Sequence, residues 1–176
     1  DPSNLRVSTI GGAIAQSAGG AKTFKYGTTK DYVLGLKVIL ADGRLINVGS
    51  NTIKNATGYH LEQLFIGSEG TLGIVVEAIL KLIPKPETSR VVLAYFDDVD
   101  SATKSVNAMI DANLRPSTID FMNKNTLQTI EKFYPAGLLV DKESALIIEV
   151  DGFECSMETQ IARLEEVLKK SGASDI

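Results

Sequence analysis

At 176 residues, with 44% apolar content and a net charge of −4, the chain is long enough for one domain or two small ones. It carries no basic block, which argues against nucleic acid or an anionic membrane surface as a partner. Its apolar runs are far too short to cross a bilayer, and its one cysteine, Cys155, fits a reducing compartment, so a cytoplasmic protein with no transmembrane segment is expected.

Residues 10–20 are predicted to form a short helix or tight helical turn. Gly11 and Gly12 stand at its start, Ala13-Ile14-Ala15 form its body, and Gly19 or Gly20 is the expected left-handed stop. Residues 33–48 read as a β-hairpin turning at Asp42-Gly43, with Leu34, Leu36, Val38 and Leu40 on a core face. A polar loop over residues 51–60 and a short helix over 61–65 follow. Residues 74–83 read as a strand with Ile74, Val76, Ala78, Leu80 and Leu82 on one face, stopped by Pro84-Lys85-Pro86. That proline pair marks the expected domain boundary.

Beyond it the pattern alternates. Strands are expected at residues 91–96, 117–121 and 145–150, and helices at 101–112, 123–133 and 156–171. In the last helix Ile161, Leu164 and Leu168 share a face, Glu158 is expected in the first turn, and Gly172 follows Lys169 and Lys170 as a stop. An antiparallel sheet with helices packed on one side is the expected arrangement.

Two glycine-bearing stretches carry the chemical signal. One runs Ser8-Thr9-Ile10-Gly11-Gly12-Ala13-Ile14-Ala15, is closed by Ala18-Gly19-Gly20 and is followed by Tyr26-Gly27; the other is Gly67-Ser68-Glu69-Gly70-Thr71-Leu72-Gly73-Ile74. Crowded glycines let backbone N–H groups approach a flat or phosphorylated ligand, or equally let two elements pack closely. On these residues alone both readings stand. Neither stretch is a P-loop or a Gly-x-Gly-x-x-Gly dinucleotide turn between strand and helix.

The other polar residues have plain readings beside sharper ones. The Lys54-Asn55 loop is either solvated or offers an amide to a ring edge. His60, the lone histidine, is expected at the surface or as a helix cap rather than as a general base, and with Cys155 far away it makes no metal cluster. Glu69 is expected to be structural and Cys155 inert.

In this order and at about this spacing, the motifs resemble the flavin-binding domain of the FAD-linked oxidases related to vanillyl-alcohol oxidase, in the branch of the glycolate oxidase flavoprotein subunit and D-lactate dehydrogenase. The resemblance runs from Ser8 through Lys25-Tyr26-Gly27, Asp31-Tyr32, Ala41-Asp42-Gly43, Lys54-Asn55, Gly58-Tyr59 and Gly67 to Ile74, reaches Pro84, and continues more weakly to the end. It implies an α+β fold. Residues 1–86 would be the second lobe of a PCMH-type FAD-binding domain, an antiparallel sheet with helices, and residues 87–176 part of an α+β cap domain.

The implied cofactor is FAD, held by Ser8, Thr9, Gly11, Gly12, Ile14, Ala15, Gly19, Gly20, Tyr26, Gly27, Asn55, Gly70, Gly73 and Ile74. Many relatives carry asparagine at the positions of Ala13 and Ser17, so this chain lacks two amides available there for ligand or loop hydrogen bonds. The resemblance further implies that the chain is an internal piece of a longer parent. That parent would oxidise a small 2-hydroxy acid such as glycolate or D-lactate by hydride transfer to flavin N5, a histidine outside this piece taking the hydroxyl proton. Partners would be a flavin-type and an iron–sulfur subunit. The piece itself is expected to be inactive, to carry no catalytic or metal-binding residue and to self-associate through uncovered apolar surface. Two alternatives remain: a structural module that holds no flavin when isolated, and another flavoenzyme of the same fold.

Overall fold

The computed structural model describes residues 6–176, so the first five residues of the 1–86 domain lie outside the description. Two compact units are present, one running to Pro84 and the other spanning Lys85–Ile176.

In the first unit, helix α1 (Ile10–Gln16) is opened by Thr9, whose Oγ1 accepts from the Gly12 N–H at 3.0 Å. It ends at Ser17, with φ 49° and ψ 49°, and not at Gly19 or Gly20. The Ala18 N–H donates to the Ala13 carbonyl at 2.8 Å and the Ser17 N–H to the Ile14 carbonyl at 3.1 Å, closing the helix as a Schellman motif before either glycine is reached. A one-turn helix α2 (Thr23–Tyr26) and a 3₁₀ turn (Thr29–Asp31) lead into the sheet. Strands β1 (Val33–Ile39) and β2 (Leu45–Gly49) form the expected hairpin, the polar stretch 51–60 is irregular, and the short helix α3 covers Glu62–Phe65.

Strand β3 (Ile74–Leu80) pairs with β1, giving the antiparallel order β2-β1-β3. It departs from expectation in two ways. It stops at Leu80, leaving Leu82 and Ile83 exposed. It also carries an irregularity: Lys37 pairs with Glu77 but Val38 with Val75, so Val76 is skipped and the alternation flips there. Val75, Ala78 and Leu80 therefore pack on the core, while Ile74 and Val76 face solvent. That core is small: Ile14, Val33, Leu36, Val38, Phe65 and Ile66. Full burial of each large apolar side chain contributes about 1.5–3 kcal/mol.

The second unit alternates β4 (Thr88–Phe96), α4 (Val99–Asp111), β5 (Thr118–Asn123), α5 (Lys124–Phe133), β6 (Ser144–Gly152) and α6 (Glu154–Lys170). The sheet order is β4-β6-β5, with β6 antiparallel to both neighbours. Helices α4 and α6 cover one face through Ala102, Met109, Met157, Leu164 and Leu168 against Val92, Ala94, Phe96, Leu146 and Ile148. Helix α5 does not join them. Leu127 and Ile130 pack on the opposite face, against Tyr95, Met122 and Ala145, so helices cover both sides rather than one. Helix α6 starts earlier than expected, placing Glu154 and not Glu158 in its first turn, and Gly172 closes it at φ 98°. The Ser174 and Asp175 backbones pair with Tyr95 and cover part of the free edge of β4.

Candidate functional site

The two glycine stretches, far apart in sequence, meet in the first unit. At the C-terminal end of α1 the carbonyls of Ile14 and Ala15 point out of the helix. The Gly67 N–H donates to Ile14 and the Glu69 N–H to Ala15, each at 3.0 Å. Gly67, Glu69 and Gly70 all adopt positive φ, which curls the second loop so that consecutive turns of backbone can reach the helix end. The loop that carries Glu69 is thereby fastened to α1.

A cavity of about 420 Å³ opens at this junction, lined by Ser8, Thr9, Gly12, Ala13, Ala15, Gln16, Ala18 and Glu69. Small side chains and backbone form most of it, and Glu69 supplies the one carboxylate. Such a surface suits a flat group bearing O–H or N–H donors better than a phosphate, which the carboxylate would repel.

Of the residues singled out from sequence, Ser8, Thr9, Gly12 and Ala15 line this cavity. Gly11 is their exposed neighbour in α1, and a Cβ built on it would find nothing within 4 Å. Ile14 faces away: its side chain is 1% exposed and belongs to the core, with only its carbonyl engaged by the second loop. Gly73 is buried against β1, where a Cβ would come within 2.6 Å of Val38 Cγ1 and 2.9 Å of the Ile39 carbonyl, so close packing accounts for this glycine. Gly70 and the exposed Ile74 lie beyond the lining residues.

Gly19, Gly20, Tyr26 and Gly27 belong to the segment after α1, tied down by its own hydrogen bonds. The Ala18 carbonyl accepts from both the N–H and the Oγ1 of Thr29, at 3.0 and 2.7 Å. The Gly20 N–H donates to Thr23 Oγ1 at 2.9 Å, and the Tyr32 hydroxyl donates to the Tyr26 carbonyl at 2.7 Å. Desolvation, with the Asp31 carboxylate beside it, raises the Tyr32 phenol above its ordinary value and keeps it a donor. Asn55 sits half-buried in the exposed 51–60 loop and is not among the residues lining the cavity.

Two features escaped the sequence reading. Gln16 and Ala18 line the cavity although nothing in their residue type marks them; Gln16 ends α1 and Ala18 follows its left-handed stop at Ser17. His60 is exposed at the surface, as its residue type suggested, yet its ring contacts a buried carboxylate, Glu62. Among the described residues no group of three or more His, Cys, Asp or Glu side chains is arranged to hold a metal, and no helix is long and apolar enough to cross a membrane.

Comparison with known proteins places these units in context. Residues 1–49 match a family described as FAD binding domain, and residues 85–176 match one described as FAD linked oxidases, C-terminal domain. The chain is 44% identical over 176 residues to the glycolate oxidase subunit GlcD of Bacillus subtilis, covering all of this chain and 37% of that protein. It is 35% identical over 178 residues to a D-lactate dehydrogenase of Anaerostipes hadrus, covering 97% of this chain and 38% of the relative. Among solved structures, an alkyldihydroxyacetonephosphate synthase superposes with a TM-score of 0.82 over 99% of this chain and 34% of its own, at 20% identity. That likeness speaks for the fold alone. The chain spans little more than a third of the length of the curated relatives it matches.

Proposed function

The chain belongs to the FAD-linked oxidases, and we propose that its first unit supplies one wall of an FAD cleft in an enzyme that oxidises a small 2-hydroxy acid of the glycolate or D-lactate type. Residues 1–86 would be the C-terminal part of the FAD-binding domain, and residues 87–176 the start of the oxidase C-terminal, or cap, domain.

The observation that carries the reading is Gly11. Gly73 is explained by the fold and Gly11 is not: its Cβ direction is open, and glycine in a helix is about 1 kcal/mol worse than alanine. A ligand that approaches the backbone there accounts for the missing side chain. The cavity beside it fits the polar, non-phosphate parts of a flavin, with Thr9, Ala15 and Glu69 as walls. Ser8, Gly12, Gly19, Gly20, Tyr26, Gly27, Asn55, Gly70 and Ile74 complete the proposed contact set through backbone or edge contacts. Ile14 and Gly73 would support the wall from behind. When bound, FAD supplies the two-electron redox chemistry; the groups of this chain bind it, orient it and exclude water from one side.

The names of the Bacillus and Anaerostipes relatives support the substrate class, and the word subunit in the former supports an assembly with partner chains. A flavin-type and an iron–sulfur subunit are the partners proposed. The test is Gly11→Ala in a preparation that binds FAD. The variant is expected to keep its fold and melting temperature while its FAD affinity falls at least about tenfold, equivalent to about 1.4 kcal/mol. Unchanged affinity would remove the argument from Gly11.

A further inference from the structure

Outside the proposed cleft, the first unit holds a buried acid next to the chain's only histidine. Glu62 opens α3, and its residue is 3% exposed. Its Oε1 lies 2.7 Å from His60 Nδ1, and its Oε2, also out of contact with water, has no hydrogen-bond partner among the described residues. The His60 side chain is 59% exposed.

Gly49 makes this burial feasible. It sits at φ 82° at the end of β2, and a Cβ there would collide with the Leu34 carbonyl and come within 3.2 Å of Glu62 Oε2. The carboxylate thus packs against bare backbone at the end of the hairpin. An ionised carboxylate can only accept, and burying it without a donor is strongly unfavourable. Among the described residues the His60 ring is the one donor that reaches it, so the proton of that ring belongs on Nδ1.

We infer that Glu62 is a positioning residue: it holds His60 in the Nδ1–H tautomer and so presents the Nε2 lone pair at the surface as a fixed hydrogen-bond acceptor for a hydroxyl or ammonium donor. A carboxylate behind an imidazole fixes its tautomer and ring orientation, the same division of labour seen where histidines act as ligands. His60 closes the 51–60 loop, so the pair also ties the end of that loop to α3. This inference stands on the geometry of the pair and does not depend on the flavin reading.

With a single histidine, ¹⁵N-labelled protein gives one pair of imidazole nitrogens, and their tautomer can be read directly from long-range ¹⁵N–¹H correlations. At mildly alkaline pH the expected spectrum has a protonated Nδ1 and a bare Nε2. In Glu62→Leu, which offers Nδ1 no acceptor, the preference for the Nδ1–H form is expected to be lost; a merely structural carboxylate would not move the tautomer. An Nε2–H ring in the unsubstituted protein, meaning that Glu62 carries the proton instead, would overturn the inference. So would an Nδ1–H ring that persists in Glu62→Leu. The first outcome needs no variant, so poor folding of the substituted chain does not spoil the test.

Discussion

Ser17 shows how one side chain can sit in a conformation better suited to another. It takes the left-handed stop of α1, where a Cβ crowds the following carbonyl. Ser17→Gly should therefore stabilise the first unit by about 0.5–1 kcal/mol, the left-handed relief being partly offset by a more flexible unfolded chain. Urea titration checks it; a loss of stability would mean that the serine side chain contributes something the backbone does not reveal. A second residue-scale case is Glu131 in α5, whose carboxylate accepts the N–H groups of Ala136, Gly137 and Leu138 at 3.0, 3.1 and 2.9 Å. Those bonds, from Leu138 first and then Ala136, hold its carboxyl below the ordinary value of 4.5. A carboxylate depressed in the folded state gives its full stabilisation above its unfolded value and loses it as pH falls through the folded one. Protection of the Gly137 and Leu138 amides, measured against their intrinsic exchange rate at each pH, should therefore be high near neutrality and fall below about pH 4.5, while Glu131→Gln should show low protection at all pH. Equal protection in both proteins near neutrality would contradict the account.

At the scale of elements, the contrast between Gly11 and Gly73 separates scaffold from cleft. Gly73→Ala should destabilise the first unit by about 1–3 kcal/mol, because its Cβ would press into Val38 and the Ile39 carbonyl between β1 and β3. A thermal melt matching the unsubstituted protein would show that β3 can shift to make room. Much of this architecture was legible in sequence. Alternation marked the β1–β2 hairpin, and Asn123 and Gly172 bounded α5 and α6 within a residue or two. The misses have local causes. The face of β3 was misjudged because skipping Val76 is a pairing event between strands and leaves no periodic trace in one of them. The side taken by α5 was misjudged because an amphipathic stripe says that a helix is covered, not which face of the sheet covers it. For the cavity, the glycines announced a backbone surface, but the docking of Gly67 and Glu69 on α1 is a long-range contact that only the fold provides.

On the scale of the whole molecule, each unit keeps its own core, and the core clusters of the second are built from residues 85–176. Residues 85–176 produced alone should fold cooperatively, with the circular dichroism of a mixed α and β protein and a single melting transition. A featureless spectrum would show that the first unit is required. The central claim is that the first unit forms one wall of an FAD cleft. Half of a cleft binds weakly, since less ligand surface is buried and less of the site is preorganised. The most direct measurement is therefore a titration of the ¹⁵N-labelled chain with FAD, followed by backbone amide shifts. The account predicts saturable shifts at Thr9, Gly11, Gly12, Ala15, Glu69 and Gly70, with the amides of residues 85–176 unmoved. No shifts at millimolar FAD, or shifts centred outside the two glycine stretches, would contradict it.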